Sequence, residues 1–231
     1  MATRTRTSGM TNSSLLDAPA PFDVWEIDLG SAPDDAELNV LSRDERERAS
    51  RFVFARDRRR FLAAHVALRR LLARRTDAPA AELCFVAGPF GKPRLAGPSC
   101  DCSFNLSHSA DIALIALAPD GEVGVDIEML RAMEDAPALS ERNFTARECA
   151  ELAELAADAR DRAFLSCWTR KEACLKAIGS GLSIAPETFE AGVGIDTRLV
   201  RIATPKGEAC VEVHSLAQRV GWIGAVARVV L

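Results

Sequence analysis

Two carboxylates stand two residues apart in the segment 124–128 (GVDIE), which has the alternating pattern of a strand. Successive side chains of a strand point to opposite faces, so Asp126 and Glu128 project together while Val125 and Ile127 point the other way. Burying two like charges side by side is costly without a cation. Mg²⁺ takes one or two carboxylates and completes its shell with water and phosphate oxygens. The spacing predicts a magnesium site, with an ordinary solvated strand face as the alternative.

A third acid and two lysines occur in the segment 168–176 (WTRKEACLK), which has the apolar spacing of a helix. Trp168, Glu172 and Lys176 follow one another at i, i+4 and form one ridge, with Lys171 beside it. A plain surface ion pair between Glu172 and Lys176, worth about 0.3–0.5 kcal/mol, is the structural alternative. We interpret the ridge as functional because a second lysine and a packed tryptophan accompany the pair.

One of only three histidines lies in the segment 104–109 (FNLSHS), at the end of a predicted strand. Three strands follow one another closely here, and we expect them to form a meander. A meander would bring His108 to the same end of the sheet as Asp126 and Glu128. A surface or capping histidine is the alternative. The three strands are predicted over 102–106, 112–118 and 123–128.

Several cations that could bind phosphate precede these strands. Lys92 lies between Gly91 and Pro93, and a loop with such permissive and rigid neighbours suits an anion site. An arginine-rich helical region follows Ser42, and arginine forks match phosphate oxygens, although a run of charge is usually a solvated helix face. These arginines include Arg46, Arg48, Arg51, Arg56 and Arg60. Together, the acids and the cations predict one site that binds both a metal and phosphates.

The elements that must position these residues occur twice in the same order, helices first and antiparallel strands after. This order predicts an α+β fold of two similar halves, residues 22–120 and 121–231. Capping boxes open helices at Ser42 and Thr145. Residues 1–21, rich in Thr, Ser, Ala and Pro, are expected to form a disordered tail. Helices are predicted over 43–75 with a break near Phe54, over 145–159 and over 161–178, and late strands over 188–194, 198–203, 209–214 and 222–230.

Composition bounds the class of protein. The 231 residues are 48% hydrophobic, enough for a sizeable core, and the formal net charge of -4 argues against a general polyanion binder. A nucleic-acid module built on the arginine-rich helix is the rival hypothesis. Seven cysteines without CxxC spacing argue against structural zinc and predict a reducing compartment. Without a leader or an apolar run of about 18 residues, we expect a cytoplasmic protein that does not bind membranes.

Five motifs occur in order along the chain: GKP (91–93), FNLSHS (104–109), VGVDIE (123–128), FTARE (144–148) and WTRKEACLK (168–176). In order and separation they resemble the Sfp-type 4'-phosphopantetheinyl transferases, over roughly residues 40 to 185. The resemblance implies two similar α+β halves packed pseudosymmetrically, with coenzyme A in the cleft between them. The implied reaction moves the 4'-phosphopantetheine arm of coenzyme A to a serine of an apo acyl or peptidyl carrier protein and releases 3',5'-ADP.

The resemblance also implies a role for each candidate residue. Asp126, Glu128 and Glu172 would hold Mg²⁺, with Mn²⁺ as an alternative. Lys176 would contact the pyrophosphate and serve the leaving group. The carrier serine would lose its proton either to Glu172 or to a hydroxide on the metal. Contacts to coenzyme A would come from Arg48, Arg60, Lys92, Ser107, His108 and Lys171.

Two questions stay open at the level of sequence. Glu148 matches an acid that recurs in the family, but it is also the third helical residue of a capping box, so a site role and a structural role both fit. A catalytically inactive relative that only binds coenzyme A is a rival to the enzyme, although the intact acids and Lys176 argue against it. Length and the two-half organisation favour a broad-specificity monomer, and its carrier could belong to secondary-metabolite synthases, siderophore synthases or fatty-acid synthesis.

Overall fold

The structure, a computed structural model, describes residues 12–97, 102–216 and 220–230. Within these ranges the strands form two four-stranded sheets and one short hairpin, and six α-helices pack around them. The predicted α+β class with two sheet-containing halves is confirmed. The strands are β1 (Ser13–Leu15), β2 (Asp23–Asp28), β3 (Phe85–Ala87), β4 (Pro93–Leu95), β5 (Ser103–Ser109), β6 (Ile112–Ala118), β7 (Val123–Met129), β8 (Arg198–Thr204), β9 (Gly207–Ser215) and β10 (Trp222–Val230). The helices are α1 (Asp35–Leu38), α2 (Arg43–Ser50), α3 (Ala55–Thr76), α4 (Ala136–Asn143), α5 (Ala146–Ala153) and α6 (Ala157–Ile178).

The first half joins α3 to the sheet with strand order β1-β2-β6-β5. Helix α3 turns Leu68, Leu71 and Leu72 onto this sheet, where they pack with Ile115 and Leu117 of β6. All five side chains are at most 4% exposed, so burial of their apolar surface from water supplies the main stabilisation of this half.

Helix α2 begins with the predicted capping box. The Ser42 side chain accepts the Glu45 N–H at 3.2 Å, and the Glu45 carboxylate accepts the Ser42 N–H at 2.8 Å. The chain leaves helical geometry after Ser50 and re-enters it at Ala55, so the predicted break near Phe54 is confirmed.

The second half packs α6 across the sheet with strand order β7-β10-β9-β8. The approach of α6 to β7 requires glycine at position 124. A Cβ atom there would lie 2.1 Å from the Ala173 carbonyl oxygen and 2.3 Å from the Ala177 nitrogen. The helix ends at the predicted residue, Gly179, whose φ of 70° is readily adopted only by glycine.

Strands β5 and β7 bring the two halves together, and here the predicted meander is wrong. Strand β7 pairs with β10 rather than with β6. It runs beside β5 in the same direction, and side chains of β5 accept its backbone N–H groups: Val123 donates to Ser103 Oγ at 3.1 Å and Val125 to Asn105 Oδ1 at 2.9 Å. Polar side chains therefore join the two sheets where we expected a continuous backbone ladder.

Two further predictions need correction. Residues 12–21 are not a disordered tail, because Ser13 to Leu15 pair with β2, while residues 1–11 lie outside the described part of the chain. The predicted strand 188–194 is a single-turn 3₁₀ helix, Pro186–Thr188, followed by irregular chain. Backbone groups of this segment form hydrogen bonds with buried charged side chains of α6 and α5, and so they do not join a sheet.

Smaller differences concern element boundaries. The sequence predicts a strand over 83–86 that overlaps β3, but it did not predict α1, α4 or β4, and α5 ends at Ala153 instead of continuing to about residue 159. None of the helices in the described ranges combines the length and apolar character that crossing a membrane demands.

Candidate active site

A cleft of about 520 Å³ opens where α6 passes the seam between the two halves. Asn105 of β5 and the α6 residues Glu172 and Lys176 line its polar end. Apolar side chains, including Leu175 and Ile184, line the remainder. The cleft can thus hold a molecule that has both charged and apolar parts.

Asp126 does not line the cleft itself but contacts Lys176 of the cleft wall, and it is only 5% exposed. Its Oδ1 accepts a hydrogen bond from Ser107 Oγ at 2.8 Å and one from Lys176 Nζ at 2.6 Å. Its Oδ2 is buried and has no hydrogen-bond partner among the described residues. A buried carboxylate oxygen without a partner is costly, so this atom is placed to receive a cation or a donor that the chain itself does not provide.

Glu128 and Glu172 complete a cluster of three carboxylates. Burial raises the pKa of Glu128, and the charge of Asp126 raises it further. Burial likewise raises the pKa of Glu172; the charge of Lys176 opposes this rise, and the charges of Asp126 and Glu128 add to it. Asp126 therefore makes ionisation of both glutamates harder, which is the electrostatic situation that a divalent cation relieves.

The three carboxylates suit a divalent cation in part. Three carboxylates are hard oxygen donors of the type Mg²⁺ prefers, and Asp126 offers a buried free oxygen. Over residues 12–97, 102–216 and 220–230, however, no three His, Cys, Asp or Glu side chains already close around a common point. The donor types and the free oxygen of Asp126 therefore suit a divalent cation, but the described residues do not form an assembled coordination shell.

Lys176 bridges the two halves and does not form the surface ion pair with Glu172 that was the structural alternative for this ridge. Its ammonium donates to Asp126 Oδ1 at 2.6 Å and to Ser107 Oγ at 3.0 Å, so it partly neutralises the acids from the cleft side. The side chain is 30% exposed, which leaves it accessible to a ligand. Ser107 is correspondingly 8% exposed, and its hydroxyl is committed to Asp126, which does not fit the predicted contact to the 3'-phosphate end of coenzyme A.

His108 and Arg60 lie on the other side of β5 from this pair. Burial lowers the pKa of His108, and the positive charges of Arg60 and Lys176 lower it further, which favours the neutral ring. Arg60 donates to Asp111 at 2.9 Å, and Arg48 lies 5.2 Å over the ring of Phe61. The charges of Arg60 and Lys176 thus both act on His108, whereas no contact connects Arg48 with the other residues of the site within the described ranges.

Lys92 is not free to bind phosphate. Its ammonium donates to Glu122 at 2.7 Å, to the Val123 carbonyl at 2.9 Å and to the Ala177 carbonyl at 3.0 Å. An ammonium has three donors, and all three are used. Lys92 lines the cleft through its side-chain stem, but its charge anchors the loop to β7 and α6.

Lys171 does not fit the predicted coenzyme A contact, because it is 2% exposed and forms an ion pair with Glu148 at 2.8 Å. It also donates to the Pro186 and Phe189 carbonyls. The other Glu148 oxygen accepts the backbone N–H groups of residues 191 and 192 at 2.8 and 2.9 Å. Burial alone would raise the pKa of Glu148, but these bonds hold it below its ordinary value. The capping box is present, so the structural interpretation of Glu148 is the one the geometry supports.

Sequence reasoning missed three residues that shape the site. Ser109 donates to Glu128 at 3.2 Å, Glu122 anchors Lys92, and Asp111 accepts from Arg60. A signal for the first was available, because β5 carries polar residues at every second position. Such a period-2 polar face on a strand indicates a polar neighbour across it.

Comparison with protein families covers most of the described fold. Residues 33–120 match the model of the N-terminal domain of 4'-phosphopantetheinyl transferases, and residues 122–221 match that of the 4'-phosphopantetheinyl transferase superfamily. The two matches meet in the connection between β6 and β7, where the strands divide between the two sheets.

Individual relatives belong to the same family as these two family models. The chain is 35% identical over 164 residues to the 4'-phosphopantetheinyl transferase HetI of Nostoc, covering 69% of each chain. It is 32% identical over 178 residues to the 4'-phosphopantetheinyl transferase psf-1 of Bacillus pumilus, covering 76% of this chain and 74% of that one. A relative from Synechocystis is 39% identical over 145 residues, but the match spans only 59% of its length. The chain belongs to the 4'-phosphopantetheinyl transferase superfamily.

Proposed function

We propose that this protein transfers the 4'-phosphopantetheine arm of coenzyme A to a serine of an apo acyl or peptidyl carrier protein, with Mg²⁺ and with release of 3',5'-ADP. The observation that carries the proposal is Asp126, a buried carboxylate with one free oxygen that meets Lys176 at the polar end of the cleft. HetI and psf-1 are named as enzymes of this activity, and membership of their superfamily supports the same chemistry here.

The cation would be held by Asp126, Glu128 and Glu172. When bound, it supplies positive charge against the oxygens of the pyrophosphate. The contribution of the chain is to bury Glu128 and Glu172 near Asp126; burial and the charge of Asp126 raise the pKa of both glutamates, which supports a bound counter-charge. Asp126 Oδ2 can bind the cation at the lowest free-energy cost, because it breaks no hydrogen bond when it does so.

Lys176 is positioned for the leaving group. In the transfer, the serine oxygen forms a bond to the β-phosphorus while the bond from that phosphorus to the bridging oxygen breaks. The departing 3',5'-ADP gains negative charge on that oxygen, and the ammonium of Lys176 stabilises or protonates it. Its partial exposure and its place on the cleft wall allow it to reach a pyrophosphate there.

Glu172 lines the same cleft and is our assignment for the group that accepts the serine proton. Burial and the neighbouring acids raise its pKa, which makes it a better proton acceptor than an exposed glutamate. Glu172→Gln keeps the shape of the side chain and removes its charge. We therefore expect this variant to lose both rate and dependence on Mg²⁺.

The 3'-phosphate of coenzyme A would meet Arg60, His108 and Arg48. Charge-assisted contacts to a phosphate are worth about 1.5–3 kcal/mol each, so dephospho-coenzyme A should bind about tenfold more weakly or worse. Calorimetric titration of both compounds measures this difference. Equal affinities would exclude these three residues from the coenzyme A site.

The decisive experiment incubates the protein with coenzyme A, Mg²⁺ and a panel of apo carrier proteins, and weighs the carriers by mass spectrometry. We expect at least one carrier to gain one phosphopantetheine group, and a chelator to prevent it. Asp126→Ala and Glu128→Ala should each abolish most transfer and leave the fold intact, whereas Glu208→Gln, an exposed acid of β9, should not change it. Failure with every carrier, or full transfer in chelator, would contradict the proposal.

Two accompanying features are proposed with the activity. One chain supplies the three acids, Lys176 and His108, which supports action as a monomer. Cys167 and Cys174 are buried thiols and not a disulfide, the state that a reducing compartment such as the cytoplasm maintains. Sedimentation velocity and fractionation of the source cells measure these two features.

A further inference from the structure

Strand β5 presents a row of polar side chains to β7. Three of them accept a backbone N–H of β7, and from one bond to the next both strands advance by the same number of residues, first two and then four. Ser107, between the second and third acceptors, instead donates to Asp126 at 2.8 Å. The three bonds run from Val123 N–H to Ser103 Oγ (3.1 Å), from Val125 N–H to Asn105 Oδ1 (2.9 Å) and from Met129 N–H to Ser109 Oγ (3.2 Å).

Ser109 has a second contact that Ser103 lacks. Its hydroxyl donates to Glu128 Oε2 at 3.2 Å while its oxygen accepts the Met129 N–H. A serine hydroxyl has a single donor, so the accepted bond helps to direct that donor toward the carboxylate. Within the described part of the chain, Ser103 makes no hydrogen bond to a carboxylate. Both serines thus accept a backbone N–H of β7, and they differ in that only Ser109 also donates to Glu128.

Glu128 needs such a restraint. It projects from β7 on the same face as Asp126, so two carboxylates of like charge lie side by side and repel each other when both are ionised. A glutamate side chain that is free to turn would move away from the repulsion and would have to be re-ordered each time a cation binds. The partners of ligating carboxylates reduce that loss by fixing the carboxylate orientation.

We propose that Ser109 is a positioning residue that holds the Glu128 carboxylate ready for the divalent cation. The inference rests on the proposed function, because it takes Asp126 and Glu128 to be ligands of that cation. With Ser107 on Asp126, it makes β5 of the first half the support for the ligands of the second half. Cation affinity then depends on the seam between the halves and not on β7 alone.

The test measures Mn²⁺ binding by electron paramagnetic resonance on the full chain, without coenzyme A. Ser109→Ala should weaken the affinity about tenfold, as the loss of a partner of a metal ligand typically does, and Ser109→Thr should restore most of it. Ser103→Ala is the matched control, because it removes an equivalent bond to β7 and should change the affinity less than twofold. In the Glu128→Gln background, Ser109→Ala should have no further effect.

The outcomes separate the inference from the proposed function. Mn²⁺ binding by the unaltered protein together with equal affinities for Ser109→Ala and Ser103→Ala would overturn the role of Ser109 and leave the metal site standing. Absence of Mn²⁺ binding in every variant, the unaltered protein included, would overturn both. If Ser109→Ala does not fold, Ser109→Cys against Ser109→Thr decides in the same way, since a thiol is a weak donor.

Discussion

Helix α6 carries two lysine–carboxylate pairs five residues apart, and they have opposite properties. Lys171 meets Glu148 at 2.8 Å, and Lys176 meets Asp126 at 2.6 Å. In the first pair both side chains are 2% exposed, and every donor of the lysine and both oxygens of the acid have partners. The first pair is therefore saturated by the chain itself.

The second pair is not saturated. Asp126 keeps a buried oxygen without a partner among the described residues, and Lys176 is 30% exposed at the cleft. Glu128 and Glu172 stand nearby with raised pKa values. A buried ion pair with complete hydrogen bonds therefore indicates a structural role, whereas one with unmet hydrogen bonds indicates a ligand site.

The largest expected effect follows from breaking the saturated pair. Lys171→Met leaves Glu148 as a buried charge without its cation, which should lower the free energy of unfolding by about 3–5 kcal/mol. Urea unfolding followed by circular dichroism measures the loss. Adding Glu148→Gln should recover part of it, because the uncompensated charge is then gone. A loss below about 1 kcal/mol for Lys171→Met would contradict the structural role.

The same substitution at the other lysine should act on catalysis instead. Lys176→Met removes the proposed leaving-group contact, at a cost of about 2.7–4 kcal/mol in the transition state, so turnover should fall about a hundredfold or more. Stability in Mg²⁺ should change by less than about 1 kcal/mol, because the partly exposed site can be rehydrated. Transfer assays and thermal unfolding measure the two quantities. Near-normal turnover would remove Lys176 from the chemistry, and Lys206→Met, an exposed lysine, is the control.

The charge of Glu148 gives the saturated pair a characteristic pH dependence. At pH 7, Glu148→Gln should be less stable than the unaltered protein by about 1.5–3 kcal/mol, the value of hydrogen bonds to a charged group. The folded-state pKa of Glu148 lies below its ordinary value, so this stability is present above the ordinary pKa and is lost as the pH falls through the lowered one. Melting temperatures of both proteins from pH 7 to pH 3 should therefore converge. A constant difference would show that the charge is not responsible.

The smallest effect should have the opposite sign and belongs to the unsaturated pair. Without metal, Glu128→Gln removes a like charge beside Asp126 and should raise stability by about 0.2–1 kcal/mol, the usual scale for neighbouring like charges on a strand. Thermal unfolding in chelator measures the gain, and added Mg²⁺ should reverse the order of the two proteins. A variant less stable than the unaltered protein in chelator would argue that the acids do not repel.

Elements governed by local chemistry were predictable from the sequence. The capping boxes at Ser42 and Thr145, the break near Phe54 and the stop at Gly179 all appear in the structure, since each depends on residues within a few positions. The meander and the predicted strand 188–194 are wrong because they depend on distant partners. Backbone groups of residues 191 and 192 are taken by Glu148, and those of β7 by side chains of β5.

Residue types and their spacing are enough to define the chemistry that the site can offer. The strand period places Asp126 and Glu128 on one face, and the helical period places Glu172 and Lys176 on one ridge, because both periods are properties of the local backbone. Which cations remain available to a ligand depends instead on the packing of segments that are distant in sequence. The ammonium groups of Lys92 and Lys171 donate to carbonyls and carboxylates of distant segments, whereas Lys176 faces the cleft. The availability of a charge depends on what other parts of the chain bury against it, and that is set by packing across the two halves.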